Sequence, residues 1–241
     1  MVTIRIAELN VALDNKYDYL KEYVRDYITD GAPDFSVSAT DDELAAERAL
    51  LGDVDIPFEQ IEPVVLYRKI AEILPQYDAA VFHGSVIEDC GRAYVFTARS
   101  GVGKTTHSRL WISSFGDDVR ILNGDKPILR IINGRPYAFG TPWQGKERYG
   151  VNAKAPLCAV SFLSRGAVNS AKEISAQDAA TRFMSQIYLD RTNAQNLLLT
   201  MRLSDRILSS VALVEIECNM EPEAASVARL SIQNAIKNKL I

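Results

Sequence analysis

The chain has 241 residues, 47% of them hydrophobic, which is enough for one large domain or for a domain with a smaller companion built on a full core. Its 27 Lys and Arg stand against 31 Asp and Glu, a formal net charge of −4, so no overall basic field exists and nucleic acid is excluded as a main partner. Cys90, Cys158 and Cys218 form no close pair, which excludes a zinc ribbon or a dithiol redox motif and leaves them as reduced core thiols; without a leader pattern at Met1–Glu8 or a run of membrane-spanning length, the expectation is a cytoplasmic protein with no membrane partner.

Residues 1–77 alternate weak strands with clear helices. Asp14 is placed to cap a helix whose apolar face is Leu20, Tyr23, Val24, Tyr27 and Ile28, at spacings of three and four. Thr40-Asp41-Asp42-Glu43 has capping-box spacing, with Gly52 as the stop, so this acidic cluster reads as a helix start and not as a metal site. A third helix is predicted to open with Pro63 in its first turn, to run through Leu66, Ile70 and Leu74, and to end at Pro75 and Asp78.

From Ala79 the pattern turns to strands. Ala80–Ile87 and Arg92–Phe96 flank the short Glu88-Asp89-Cys90-Gly91, which predicts a β-hairpin. Its second strand leads into Ala98-Arg99-Ser100-Gly101-Val102-Gly103-Lys104-Thr105-Thr106, and a helix over Thr106–Phe115, with Leu110 and Trp111 inward, ends at Gly116. Short strands are expected at Val119–Leu122, Pro127–Ile132, Pro136–Phe139 and Leu157–Leu163. Ser175 caps a helix through Phe183 and Ile187, a second covers Ala194–Leu208, a strand covers Val211–Cys218, and a terminal helix runs from Pro222 to about Leu240. The chain shows no repeat, linker or low-complexity tract.

Strand, glycine-rich loop and helix follow in the order of a phosphate-binding loop. Glycines let successive N–H groups turn inward onto phosphate oxygens, and the helix presents the positive end of its dipole to the same anion. In that reading Ser100, Gly101, Val102, Gly103, Lys104, Thr105 and Thr106 form the nucleotide cradle. Lys104 reaches the terminal phosphates and Thr105 ligates Mg²⁺. Ala98 stands where the pattern has glycine, which is tolerable if its φ is negative.

Asp125, beyond a short apolar strand and about twenty residues after Lys104, is the candidate second acidic element. It ligates the metal directly or through water, takes a proton from an attacking hydroxyl, or is part of a surface turn. Lys126 and Lys146 are solvated lysines or neutralise a transferring phosphoryl group. His83, on the strand paired with the one that feeds the loop, is either a donor or acid–base group at the phosphates or a hydrogen-bonded core histidine; His107 reads as structural. The segment Phe139–Gly150 either covers a site, with Thr141 and Gln144 bonding substrate and Trp143 excluding water, or is an irregular loop anchored by Trp143.

His83-Gly84-Ser85, the loop Ser100–His107, Asn123-Gly124-Asp125-Lys126-Pro127 and Gly140-Thr141-Pro142-Trp143-Gln144-Gly145-Lys146 together resemble the serine kinases related to HPr kinase/phosphorylase, whose nucleotide-binding core is shared more distantly with ATP-dependent phosphoenolpyruvate carboxykinases. The resemblance covers about Ala79 to Arg165. It implies an α/β fold with a mixed-sheet P-loop core of that type (residues 78–241) and a small N-terminal α/β segment (residues 1–77). It also implies ATP and Mg²⁺ binding and phosphate transfer to a serine-type hydroxyl. His83 then maps near the phosphates, Lys104 and Thr105 to the phosphate and metal groups, Asp125 to metal or base, and Thr141, Trp143, Gln144 and Lys146 to a substrate loop. Gly124 departs from the two adjacent acids that many such enzymes carry, and no segment for engaging HPr is evident.

The sequence therefore predicts an ATP-dependent kinase in which Asp125, His83 and Lys104 are catalytic and whose acceptor is a hydroxyl-bearing peptide, protein or small molecule. The alternative is a nucleotide-binding regulatory protein that has lost catalysis. A carboxykinase-like lyase fits less well, because the chain is short and no rich set of metal ligands accompanies the loop. The acceptor, ATP over GTP and assembly into a homo-oligomer stay open.

Overall fold

The computed structural model describes residues 1–50, 52 and 56–239. At the N-terminus β1 (Val2–Ile6) and β2 (Leu9–Asp14) form an antiparallel hairpin. After the short helix α1 (Tyr19–Tyr23), strand β3 (Phe35–Ser38) joins β2 in parallel. The predicted Asp14 cap is not observed. Asp14 stays in the ladder opposite Ser38, and α1 begins at Tyr19, after Asp18. Leu20, Val24 and Tyr27 still face the core, whereas Ile28 is exposed.

Helix α2 (Asp41–Leu50) opens on the expected capping box: Glu43 N–H donates to Thr40 Oγ1 at 3.2 Å, and the Glu43 carboxylate accepts from Thr40 N–H at 2.8 Å. Gly52 N–H donates to Ala49 O beyond its end. Helix α3 (Phe58–Ile73) starts earlier than predicted, because Pro57 and not Pro63 marks its N-terminus. Pro63 lies inside the helix and leaves Glu59 O without its usual donor; burial of Ile61, Leu66 and Ile70 against the first sheet carries the helix through.

A second, mixed sheet holds the rest. Strand β4 (Ala79–Val81) is followed by the hairpin β5 (Ser85–Asp89) and β6 (Arg92–Thr97), turned by Cys90 and Gly91, both at positive φ. Then come α4 (Lys104–Phe115), β7 (Val119–Asn123), β8 (Ile128–Ile132), β9 (Arg135–Phe139), β10 (Lys154–Arg165) and β11 (Ser170–Glu173). Helices α5 (Ala176–Met184) and α6 (Ala194–Ser210), strand β12 (Ala212–Cys218) and helix α7 (Glu223–Lys239) complete the chain; Leu240, the expected helix end, lies outside the described residues.

The predicted strand Ala80–Ile87 is two strands. β4 pairs with β8, β5 pairs with β6 and β7, and the chain changes partners at Phe82-His83-Gly84. Each of those three residues sends its N–H to a different segment: Pro127 O, Gln186 O and Asp125 O. His83 therefore sits at a break between strands and not within one.

The sheet runs β4-β8-β9-β10-β6-β5-β7, with β12 on the other side of β10 and β11 beyond it. Strand β10 bridges the two halves. Its start pairs antiparallel with β9, and its remainder runs parallel to both β6 and β12. β6 is consequently central and covered on both faces, which accounts for its unbroken apolar run. Ala93 and Val95 face α5 and α6, while Tyr94 and Phe96 face α4 and α7, where Trp111 is fully buried. The cysteines are less buried than expected: Cys90 is exposed and the other two are partly buried, because the two-residue turn places Cys90 at the hairpin tip.

Candidate functional site

The loop between β6 and α4 lies at the carboxyl edge of the sheet. Gly101 (φ +79°) and Gly103 (φ +128°) adopt backbone conformations that strain L side chains, whereas Ala98 does not have positive φ, so the alanine substitution carries no strain. Gly103 is the residue before α4, and no side chain caps the helix, which leaves its first-turn N–H groups directed to the loop. Lys104 folds back across the loop and donates from Nζ to Ala98 O at 3.2 Å. Burial lowers the Lys104 ammonium from its ordinary value; the Asp125 charge opposes that shift and Lys126 adds to it. Ser108 Oγ donates to Lys104 O, and the Ser85 and Ser108 hydroxyls lie 2.7 Å apart, joining the start of β5 to α4.

Asp125 is held in a turn built by Asn123. This fully buried side chain accepts from the Asp125 and Lys126 N–H groups at 2.9 and 2.8 Å and donates to Thr141 O and Oγ1. His83 Nε2 lies 3.4 Å from Asp125 Oδ1, and Lys126 Nζ lies 3.9 Å from Oδ2. Burial by itself would raise the Asp125 carboxyl. The His83 hydrogen bond and the positive charges of Lys126 and Lys104 outweigh it, so the group lies below its ordinary value and is a carboxylate at neutral pH.

The segment after β9 closes over these groups. Gln144, Gly145, Lys146, Glu147 and Tyr149 form a flap held to α4 by a 2.7 Å ion pair between Arg109 and Glu147. Under the flap is a cavity of about 510 Å³ whose lining includes His83, Lys104, Thr105, Thr106, Asp125, Gln144 and Lys146.

Within the cradle segment, Ser100, Gly101 and Gly103 also line this cavity, while Val102 faces a neighbouring recess. Thr141 and Trp143 are placed elsewhere. Thr141 is fully buried and donates to Lys126 O. Trp143 stacks on Tyr67 with ring centroids 3.9 Å apart and donates from Nε1 to Pro63 O at 2.9 Å. Neither lines the cavity, so Thr141 is scaffolding in place of the expected substrate bond, and Trp143 follows the anchoring alternative in place of the water-excluding one: the apolar indole is worth more against the N-terminal unit than over a polar cleft. Tyr67 also donates to Lys126 O, so α3 helps set the Asp125 turn.

Sequence reading assigned no role to Asn123, Ser85, Ser108, Glu147 or Tyr149. The only local signal among them was the turn-forming Asn-Gly-Asp. Gly124 has a spatial reason: a Cβ there would stand 2.9 Å from Gln144 O and 3.2 Å from Tyr149 O. A second acid beside Asp125 does not fit under this flap.

Helix N–H groups, a lysine, a threonine hydroxyl and a carboxylate facing one cavity suit a polyphosphate with a hard divalent cation. Among the described residues no three His, Cys, Asp or Glu side chains cluster to hold a metal. A cation here would share Thr105 and Asp125 with oxygens of its ligand. Among the described residues no helix is long and apolar enough to cross a membrane.

No family model matches the chain, and no curated protein matches it. Among solved structures it has a distant likeness to the Hpr(Ser) kinase/phosphatase from Coxiella burnetii, with 9% sequence identity and a TM-score of 0.38, over 66% of this chain and 91% of that one.

Proposed function

We propose that the protein is an ATP-dependent phosphotransferase that uses Mg²⁺ and moves a phosphoryl group to the hydroxyl of a peptide, protein or small molecule. The observation that carries this reading is the convergence of Lys104, Thr105, Asp125 and His83 on one cavity at the N-terminus of α4, from three separate stretches of chain. The loop N–H groups and Lys104 would bind phosphate oxygens, and Thr105 with Asp125 would hold the cation, which neutralises phosphate charge when bound. Asp125, oriented by Asn123 and steadied by His83, is placed to accept the proton of an acceptor hydroxyl. The flap would exclude water once the donor is in place. Residues 78–241 would form the catalytic unit, and residues 1–77 would buttress it through the contacts of Pro63 and Tyr67.

One observation favours a second reading. The steric exclusion of an acid at Gly124 leaves Asp125 without an adjacent carboxylate, and the other acid in the cavity wall, Glu147, is paired with Arg109, as in a protein that binds nucleotide without transfer.

Labelled Mg-ATP, incubated with the protein and with peptide and small-molecule fractions of a cell extract, separates the two. The kinase reading expects label in one fraction, lost with Lys104→Ala. Asp125→Asn should cut transfer by about a hundredfold or more while nucleotide binding persists. Undiminished transfer by Asp125→Asn would refute the role given to that carboxylate, and confirmed nucleotide binding without transfer to either fraction would favour the second reading.

A further inference from the structure

A larger recess, about 900 Å³, lies on the other flank of the glycine loop, between the loop, the end of β10 and the end of α5. Its lining includes Arg99, Arg165 and Arg182 together with Ser164, Ser185 and Gln186, and contains no Asp or Glu. The three arginines are differently engaged. Arg182 pairs with Glu215 and lies over the Phe162 ring. Arg165 donates from Nε to Val102 O at 3.1 Å and from Nη2 to Gly101 O, so it shapes the loop. Neither Arg99 nor Arg165 makes an ion pair among the described residues. The side-chain oxygen of Gln186 is buried in the same wall with no hydrogen-bond partner among the described residues.

The recess and the phosphate-facing cavity share the glycine loop as a common wall. Ser100 and Gly101 line both. Gln186 O accepts from His83 N–H at 2.7 Å, and Thr97, also in the recess wall, donates from Oγ1 to His83 O at 2.9 Å. The backbone of His83 is thus tied to the recess wall on both sides, while its imidazole lines the other cavity.

We infer that this recess binds an organic acid, a carboxylate or phosphate ester held chiefly by Arg99. The inference goes beyond the proposed phosphotransferase reading and adds a ligand class at a second recess. An arginine-lined cavity without carboxylates favours an anion and disfavours a neutral alcohol.

The test is calorimetric titration of the full chain, with and without saturating Mg²⁺ and a non-hydrolysable ATP analogue. The probes are glycerate, glycerol 3-phosphate, glycerol, and a short serine-ended peptide with a free or an amidated terminus. At least one acid should bind with a Kd of about 1 mM or tighter. Its neutral counterpart should bind at least about tenfold more weakly, and Arg99→Gln should weaken the acid by a similar factor while the analogue's Kd changes less than about twofold. Arg99 is exposed, so the variant should fold, and an unchanged melting midpoint verifies that. Free small acids against the free-carboxylate peptide identify the source of the charge. The inference is overturned if no acid binds while the analogue does, if glycerol binds as well as glycerate, or if Arg99→Gln weakens the analogue as much as the acid. Failure of the analogue itself to bind would instead sink the phosphotransferase reading, and the titrations without it would still decide whether the recess takes an acid.

Discussion

His107→Gln isolates one buried proton-binding site in the first turns of α4. His107 is 2% exposed, its Nε2 accepts from Trp111 Nε1 at 3.0 Å, and its Nδ1 has no partner among the described residues. Burial pushes its pKa down from 6.5 to about 4. The unfolded chain therefore takes up a proton near pH 6.5, whereas the folded protein takes it up only near pH 4. Stability linked to this group is complete above the upper value, falls with pH between the two, and levels off below the lower one. At about 1.4 kcal/mol per pKa unit, the shift corresponds to about 3 kcal/mol. Gln at 107 keeps a hydrogen-bond acceptor for Trp111 and does not titrate. Urea unfolding followed by circular dichroism, at pH steps from neutral down to about 4, should show wild-type stability falling relative to the variant by about 3 kcal/mol. The common loss from carboxylate protonation cancels in the comparison. Parallel pH profiles would refute the buried, neutral histidine and the packing drawn around it.

Three further substitutions test the scaffold. Gly124→Asp should push the flap away and cost about 1–3 kcal/mol in urea unfolding without raising Mg²⁺ affinity; a gain in Mg²⁺ binding at unchanged stability would show that a second acid fits after all. Trp143→Ala removes the stack on Tyr67 and the bond to Pro63 O, for an expected loss of about 3–5 kcal/mol, and a variant with a wild-type melting midpoint would contradict that anchoring role. Arg229 holds the buried Asp89 through two bonds of 2.8 and 2.6 Å, so Arg229→Met should cost about 3–5 kcal/mol. Adding Asp89→Asn should recover part of that loss, and no recovery would assign it to packing alone.

What the sequence by itself determined are features closed within a few residues of chain. The Thr40–Glu43 capping box, the Ser175 cap, the hairpin turn at Cys90-Gly91 and the strand–loop–helix order around Lys104 were all legible, because each hydrogen bond or special φ is made locally. The alternatives at Asp125 and in the Phe139–Gly150 loop were not separable from sequence. A turn residue and a site carboxylate look the same until Asn123 is seen binding Asp125 on one side and Thr141 on the other. That Trp143 is an anchor and not a cover excluding water was hidden, because its partners Pro63 and Tyr67 lie 80 and 76 positions earlier (143 − 63 and 143 − 67) and no local pattern announces them. His83 left its strand because three consecutive N–H groups found three distant carbonyls. The arginine-lined recess exists only because β10 runs parallel to β6 and brings Arg165 beside the glycine loop, with α5 closing the far wall. Tertiary structure decided those points because sheet pairing and burial act between segments far apart in the chain, and their energies outweigh the weak local preferences of the residues they bring together.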